Sequence, residues 1–143
     1  MLRPYDDIER VANQVIGCGI EVHRILGAGL LESVYTECLH RELRVRGLFA
    51  ERGRRVPIIY KGDQLGEMLK IDLLVENCVV VEVKAVERLA PVHEAQVITY
   101  LKLSGCPAGL LMNFNSVLLR NGLKRLDHPE RYAANRRMKN EEP

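Results

Sequence analysis

The chain contains no tryptophan and only two phenylalanines, so it has little material for stacking on flat ligands. Its four cysteines, Cys18, Cys38, Cys78 and Cys106, never approach a CxxC spacing. That removes the pattern on which zinc fingers and thioredoxin-like sites depend. The expectation is free thiols in a reducing, cytoplasmic setting, serving as small buried hydrophobes. Long apolar runs are also missing. The longest are a few residues, such as Val79-Val80-Val81, and no membrane span is expected. Residues Met1 to Asp7 carry no apolar stretch of the kind a secretory signal needs. Neither sign of charge dominates: 21 Lys and Arg against 19 Asp and Glu leave +2. A histone-like polycation is excluded, and a locally basic face stays open. There is no internal repeat and no low-complexity tract.

What is present is an ordinary globular balance, 47% hydrophobic and 28% charged over 143 residues. This is enough for one domain with a real core. We expect a single domain over residues 1–127 and a charged tail over 128–143, with a short helix around Glu130 to Lys139. The first third reads as helix. Val11, Val15, Ile16, Cys18, Val22, Ile25 and Leu26 recur at helical spacing until Gly27-Ala28-Gly29 breaks the pattern. A second helix is expected from Leu30 to Arg46, with Leu31, Val34, Tyr35, Cys38, Leu39 and Leu43 on its apolar stripe and Gly47 as its stop. The middle third changes to a period of two. Strands are expected at Val56–Tyr60, Met68–Val75 and Val79–Ala85, with turns at Lys61-Gly62-Asp63 and Glu76-Asn77-Cys78. Pro91 opens a helix that runs to Ser104. Ala108–Phe114 is an apolar fourth strand and Gly122–Leu126 a fifth. A strand, a crossover helix and a further strand imply an α/β fold, a mixed central sheet flanked by helices.

The two middle strands carry the first chemical signal. Centring their hairpin on Asn77 puts Leu69, Ile71, Leu73 and Val75 on one face with Val79, Val81, Val83 and Ala85. The other face holds Lys70, Asp72, Leu74, Val80, Glu82 and Lys84, with Asp72 across from Glu82 and Lys70 across from Lys84. Facing carboxylates repel, and such a pair is kept most readily around a cation. A hard divalent ion, Mg²⁺ or Mn²⁺, suits carboxylate oxygens. The plain alternative is a solvated salt-bridge cluster made with the two lysines. A third acid, Glu32, falls between Leu39 and Leu43 on the helical wheel. An inward carboxylate needs a partner, either a metal or the positive end of its own helix.

Asp72 followed by Glu82-Val83-Lys84 resembles the D…ExK signature of the PD-(D/E)XK nuclease superfamily, although Ile71 replaces the proline of that name. Gly29-Leu30-Leu31-Glu32-Ser33-Val34-Tyr35 resembles the motif of the GxxExxY family within it. Gln96 and Tyr100 match the QxxxY motif of its RecB-like branch, and Leu110 to Asn115 resembles the strand that follows. The resemblance spans Ile16 to Leu126 and implies a restriction-endonuclease-like core. It further implies Asp72, Glu82 and Glu32 as metal ligands together with the Val83 backbone carbonyl, and Lys84 as the cation that positions water or offsets charge on the phosphate. Gln96 and Tyr100 would support the site or touch the DNA backbone; the plainer alternative is a core-facing tyrosine with a hydrogen-bonded glutamine. Tyr35 is expected to pack below the site. His23 is a weaker candidate for a metal or phosphate contact. His93 is expected to be a helix-start residue, and His40 and His128 surface residues.

Arg41, Arg44, Arg46, Arg52, Arg54 and Arg55 gather near the helix-to-strand junction. A second basic group is Arg120, Lys124 and Arg125, and a third lies in the tail at Arg131, Arg136, Arg137 and Lys139. These residues are candidates for holding a phosphate backbone, although solvated arginine faces are common. The expected function is metal-dependent phosphodiester hydrolysis on nucleic acid, first of all DNA. The small size points to a homodimer or a partner protein. The competing expectation is a non-catalytic nucleic-acid-binding or assembly module on the same fold.

Overall fold

The computed structural model describes residues 5–130, apart from the side chains of Tyr5, Asp6 and Glu67. The elements run α1 (Tyr5–Leu26), α2 (Glu32–Val45), β1 (Ala50–Tyr60), β2 (Asp63–Val75), β3 (Val79–Lys84), α3 (Pro91–Ser104), β4 (Ala108–Asn113), a 3-10 turn (Leu119–Gly122) and β5 (Leu123–Asp127). They form one five-stranded sheet in the order β1-β2-β3-β4-β5. Only β3 and β4 are parallel, and α3 makes the crossover between them. The expected tail helix over 130–139 lies almost wholly outside the described residues.

Each face of the sheet has its own core. On one side α1 contributes Val11, Val15, Cys18 and Val22, and α2 contributes Tyr35, Leu39 and Leu43. Both pack on Leu73, Val75, Val79, Val81, Val83, Leu110 and Met112. On the other side Val97, Tyr100 and Leu101 of α3 cover Val56, Ile71, Leu74, Val80 and Leu111. The central strands β3 and β4 are therefore buried on both faces, as parallel neighbours usually are. The cysteines are free, and all but the half-buried Cys38 are buried.

The Asn77-centred register forms: Leu73, Leu74 and Val75 pair with Val81, Val80 and Val79. The β2–β3 ladder stops there, and this changes two expectations. Lys70 does not face Lys84; its partner is Arg55 on β1. Leu69 and Ile71 do not share a face with Leu73, because they pack on the α3 side. The alternation changes phase at Asp72. The β1 residue opposite it, between the pairs Arg52–Leu73 and Arg54–Ile71, is Gly53, and the two are skipped by the ladder. Gly53 has φ +72°, a left-handed conformation that costs a side-chain-bearing residue strain. Beyond this kink β1 and β2 continue as a two-stranded arm, longer than the two separate strands expected.

Candidate active site

Asp72 and Glu82 sit where β2 leaves β3. Side chains take over from the broken ladder. The Asp72 N–H donates to Glu82 Oε1 (3.2 Å), and the Val83 N–H donates to Asp72 Oδ2 (2.9 Å). Lys84 Nζ lies 3.7 Å from Glu82 Oε2. Glu82 alternates with Val79, Val81 and Val83 along β3, so it points to the α3 side and is only 2% exposed.

Two carboxylates with one ammonium in so dry a place are under-compensated. Burial pushes Glu82 up to about 8, the charge of Asp72 adds to this, and the Asp72 N–H and Lys84 oppose it. Burial likewise raises Asp72, against the Val83 N–H and Lys84. Tyr100 is driven up to about 12 by burial and then by the charges of Glu82 and Asp72. Its hydroxyl accepts a bond from Gln96 Nε2 (3.0 Å). Tyr100 is therefore near enough to the acid pair to feel its charge and is part of the α3-side core, while Gln96, half-buried, meets its hydroxyl, which is the plainer of the two arrangements expected.

Glu32 is not inward-facing. It is the first residue of α2 and exposed, at the end where the helix dipole favours an anion. It shares with Asp72 an open cleft of about 700 Å³, also lined by Ser33, Thr36, Arg52, Gly53, Arg55 and Lys70. Tyr35 sets the approach to this helix start. Its hydroxyl donates to the Gly27 carbonyl (2.6 Å) and accepts from the Leu30 N–H (3.1 Å), while its ring stacks on Phe114 at 4.7 Å. Gly29, at φ +101°, lets the loop turn sharply into α2. The spacing of Gly29, Glu32 and Tyr35 thus has a local reason: the tyrosine ties down the glycine loop that presents the glutamate.

The donor set at this place is hard oxygen throughout, which suits Mg²⁺ or Mn²⁺ in type. Among the described residues, no group of three or more His, Cys, Asp or Glu is gathered to hold an ion. Asp72, Glu82 and Lys84 come together, and Glu32, on the α2 side of the cleft, is near enough for its charge to raise both acids.

Asn113 is a polar residue whose place beside this site went unassigned in the sequence. It is 2% exposed at the end of β4, level with Lys84. Its Nδ2 donates to the Val86 carbonyl (2.8 Å), and its Oδ1 accepts from the Val86 N–H (3.0 Å). This clamp holds the chain just after Lys84. A lone amide closing the run Ala108 to Met112 was the available signal.

The histidines divide differently from expectation. His23 Nε2 bonds the Ser116 carbonyl (2.8 Å), and His40, half-buried, bonds the Ala50 carbonyl (3.0 Å). His128 is likewise half-buried. His93 Nδ1 accepts from the Ala90 N–H (2.9 Å) at the start of α3, as expected. Much of the basic patch is neutralised. Arg41 and Arg52 pair with Glu37, Arg46 with Glu42 and Arg54 with Glu51. Lys124 meets Glu94, and Arg125 meets Glu9 and Asp127. The basic tail residues lie outside the described part. No described helix is long and apolar enough to cross a membrane.

Neither a curated protein nor a solved structure matches the chain. A family model of the PD-(D/E)XK nuclease superfamily does match, over residues 9–126. That span takes in the whole sheet apart from the last residue of β5, all three helices apart from the start of α1, and the acid pair at the end of the β2–β3 ladder. With this mixed sheet beneath an Asp and an ExK strand, the chain belongs to the PD-(D/E)XK nuclease superfamily.

Proposed function

We propose that the domain hydrolyses phosphodiester bonds of nucleic acid, with DNA as the first candidate substrate, and that it needs Mg²⁺ or Mn²⁺. Superfamily membership supports the reaction class. The observation that carries the residue assignment is the buried Asp72–Glu82 pair with Lys84 at its side. Asp72, Glu82 and the Val83 carbonyl would hold the ion, with Glu32 contributing from the cleft. When bound, such an ion polarises a phosphate and acidifies a water. Lys84 holds a positive charge beside Glu82, where it orients the attacking water and offsets charge that grows on the phosphate. Tyr100, buried on α3, would cover that side of the acid pair, with Gln96 holding its hydroxyl. The loop tied by Tyr35 supports assignment to the GxxExxY branch.

The test is cleavage of DNA and RNA oligonucleotides in Mn²⁺ and Mg²⁺ by the full chain. Asp72→Ala, Glu82→Ala and Lys84→Ala are each expected to lower the rate by about 100-fold or more with the fold retained. Full activity in all three overturns the assignment. That no three acids are gathered among the described residues favours one other reading, a binding or assembly module without catalysis. Calorimetric titration with Mn²⁺ separates the two. Binding by the wild type that is lost in Asp72→Asn supports the enzyme, and equal heats in both support the module.

A further inference from the structure

Arg55 and Lys70 are direct partners across the β1–β2 ladder. Like charges in that position repel. Around them the arginines are matched, Arg52 with Glu37 and Arg54 with Glu51. Arg55 and Lys70 have no ion-pair partner among the described residues. Both are exposed, and both line the cleft that holds Asp72 and Glu32. A Cβ at Gly53 would stand 2.9 Å from Lys70 Cε. The missing side chain therefore leaves room for the lysine stem to lie across β1. Lys70 is two residues from Asp72, about 7 Å along a strand, a distance comparable to one step of an extended nucleic-acid backbone.

We propose that Arg55 and Lys70 form a seat for a backbone phosphate next to the one that reaches the Asp72–Glu82 pair. An anion between the two cations turns their repulsion into a shared attraction. Arg55 offers a planar fork and Lys70 a mobile point charge. Asp72 and Glu32 in the same cleft repel this phosphate unless a cation covers them, so the seat fixes where along the cleft the backbone rests. The contact involves no base edge and is tolerant of sequence. This inference rests on the nuclease reading only for the identity of the ligand as nucleic acid.

The test measures binding in chelator, where no cleavage occurs, using labelled oligothymidylate and oligouridylate over a salt series. The full chain is compared with Arg55→Gln, Lys70→Gln, the double variant, Asp72→Asn and the exposed control Lys102→Gln. The double variant is expected to bind about tenfold more weakly, with its log–log salt slope reduced by about one. Lys102→Gln should change neither quantity, and Asp72→Asn should bind at least as well as the wild type. The double variant should melt no lower than the wild type, since a repulsive pair has been removed. Wild-type affinity and slope in the double variant overturn the seat, as does a melting point several degrees lower. Failure of the wild type to bind either oligonucleotide also overturns it. A melting increase with inorganic phosphate alone would then mark a free-anion site instead. Loss of the nuclease reading has a different signature: no Mn²⁺-dependent cleavage, with chelator-state binding and its salt slope intact.

Discussion

Glu82 is the residue at which burial and charge conflict most. In the folded chain its carboxyl keeps its proton up to about pH 8, against an ordinary value of 4.5. The folded state therefore binds this proton more tightly than the unfolded state does. The stability it contributes is fully present below the unfolded value and is lost as pH rises through about 8. Asp72 is shifted in the same direction. Urea midpoints in chelator should fall between pH 5 and pH 8, and Glu82→Gln should flatten that slope. Mn²⁺ should raise the wild-type melting temperature more at pH 8 than at pH 5, because at the lower pH it must displace a proton. A wild type with the same midpoint at both pH values would contradict this account. Asn113 gives a second test at this scale. Asn113→Ala leaves the Val86 N–H and carbonyl without partners and should cost about 2–3 kcal/mol by denaturant unfolding. It should also lower cleavage by loosening the chain that follows Lys84.

Among the elements, the junction of α1 and α2 has the clearest link between sequence and geometry. Tyr35→Phe keeps the ring on Phe114 but removes both hydroxyl bonds to the glycine loop. It should cost roughly 1–2 kcal/mol and weaken Mn²⁺ binding through Glu32, readable by calorimetry. Intact metal affinity at the reduced stability would remove Glu32 from the ligand set. The kink in β1 offers a comparable test. Gly53→Ala meets both a left-handed φ and Lys70 Cε, and should destabilise by more than about 1 kcal/mol. Most elements were legible because apolar spacing alone announces them: the period of α1, the alternation of β3, Pro91 opening α3. The Asn77-centred register was legible for the same reason. The phase change at Asp72 was not, since it depends on how Gly53 on another strand twists the pair. Glu32 was misread as inward because a helical wheel assumes a helix that has already started, and Glu32 is its first residue. The neutralised arginines could have been read in part. Glu37–Arg41, Glu42–Arg46 and Glu51–Arg54 have i,i+4 or i,i+3 spacing, whereas Arg52 reaching Glu37 depends on tertiary contact.

For the whole molecule, one sheet is shared by two cores. Leu39 under α2 and Leu101 under α3 are both fully buried, on opposite faces. Leu39→Ala and Leu101→Ala should each cost about 2–5 kcal/mol and shift the same single melting transition. Two separate transitions would mean that the faces unfold independently. A bidentate clasp from Arg125 on β5 to Glu9 on α1, at 2.6 and 2.5 Å, ties the far edge of the sheet to the first helix. At the opposite edge the tie is Arg52 of β1 with Glu37 of α2. There β1 and β2 run past the last β2–β3 pair as an arm, and Asp72 is the residue at its root. The arm is a lever with its fulcrum at a metal-ligand candidate. Any tilt at its far tip, near Lys61 and Gly62, passes through Val56, Leu69 and Ile71 of the α3-side core and meets the acid pair at the root. A load on that tip is thus also a load on the spacing of the two acids.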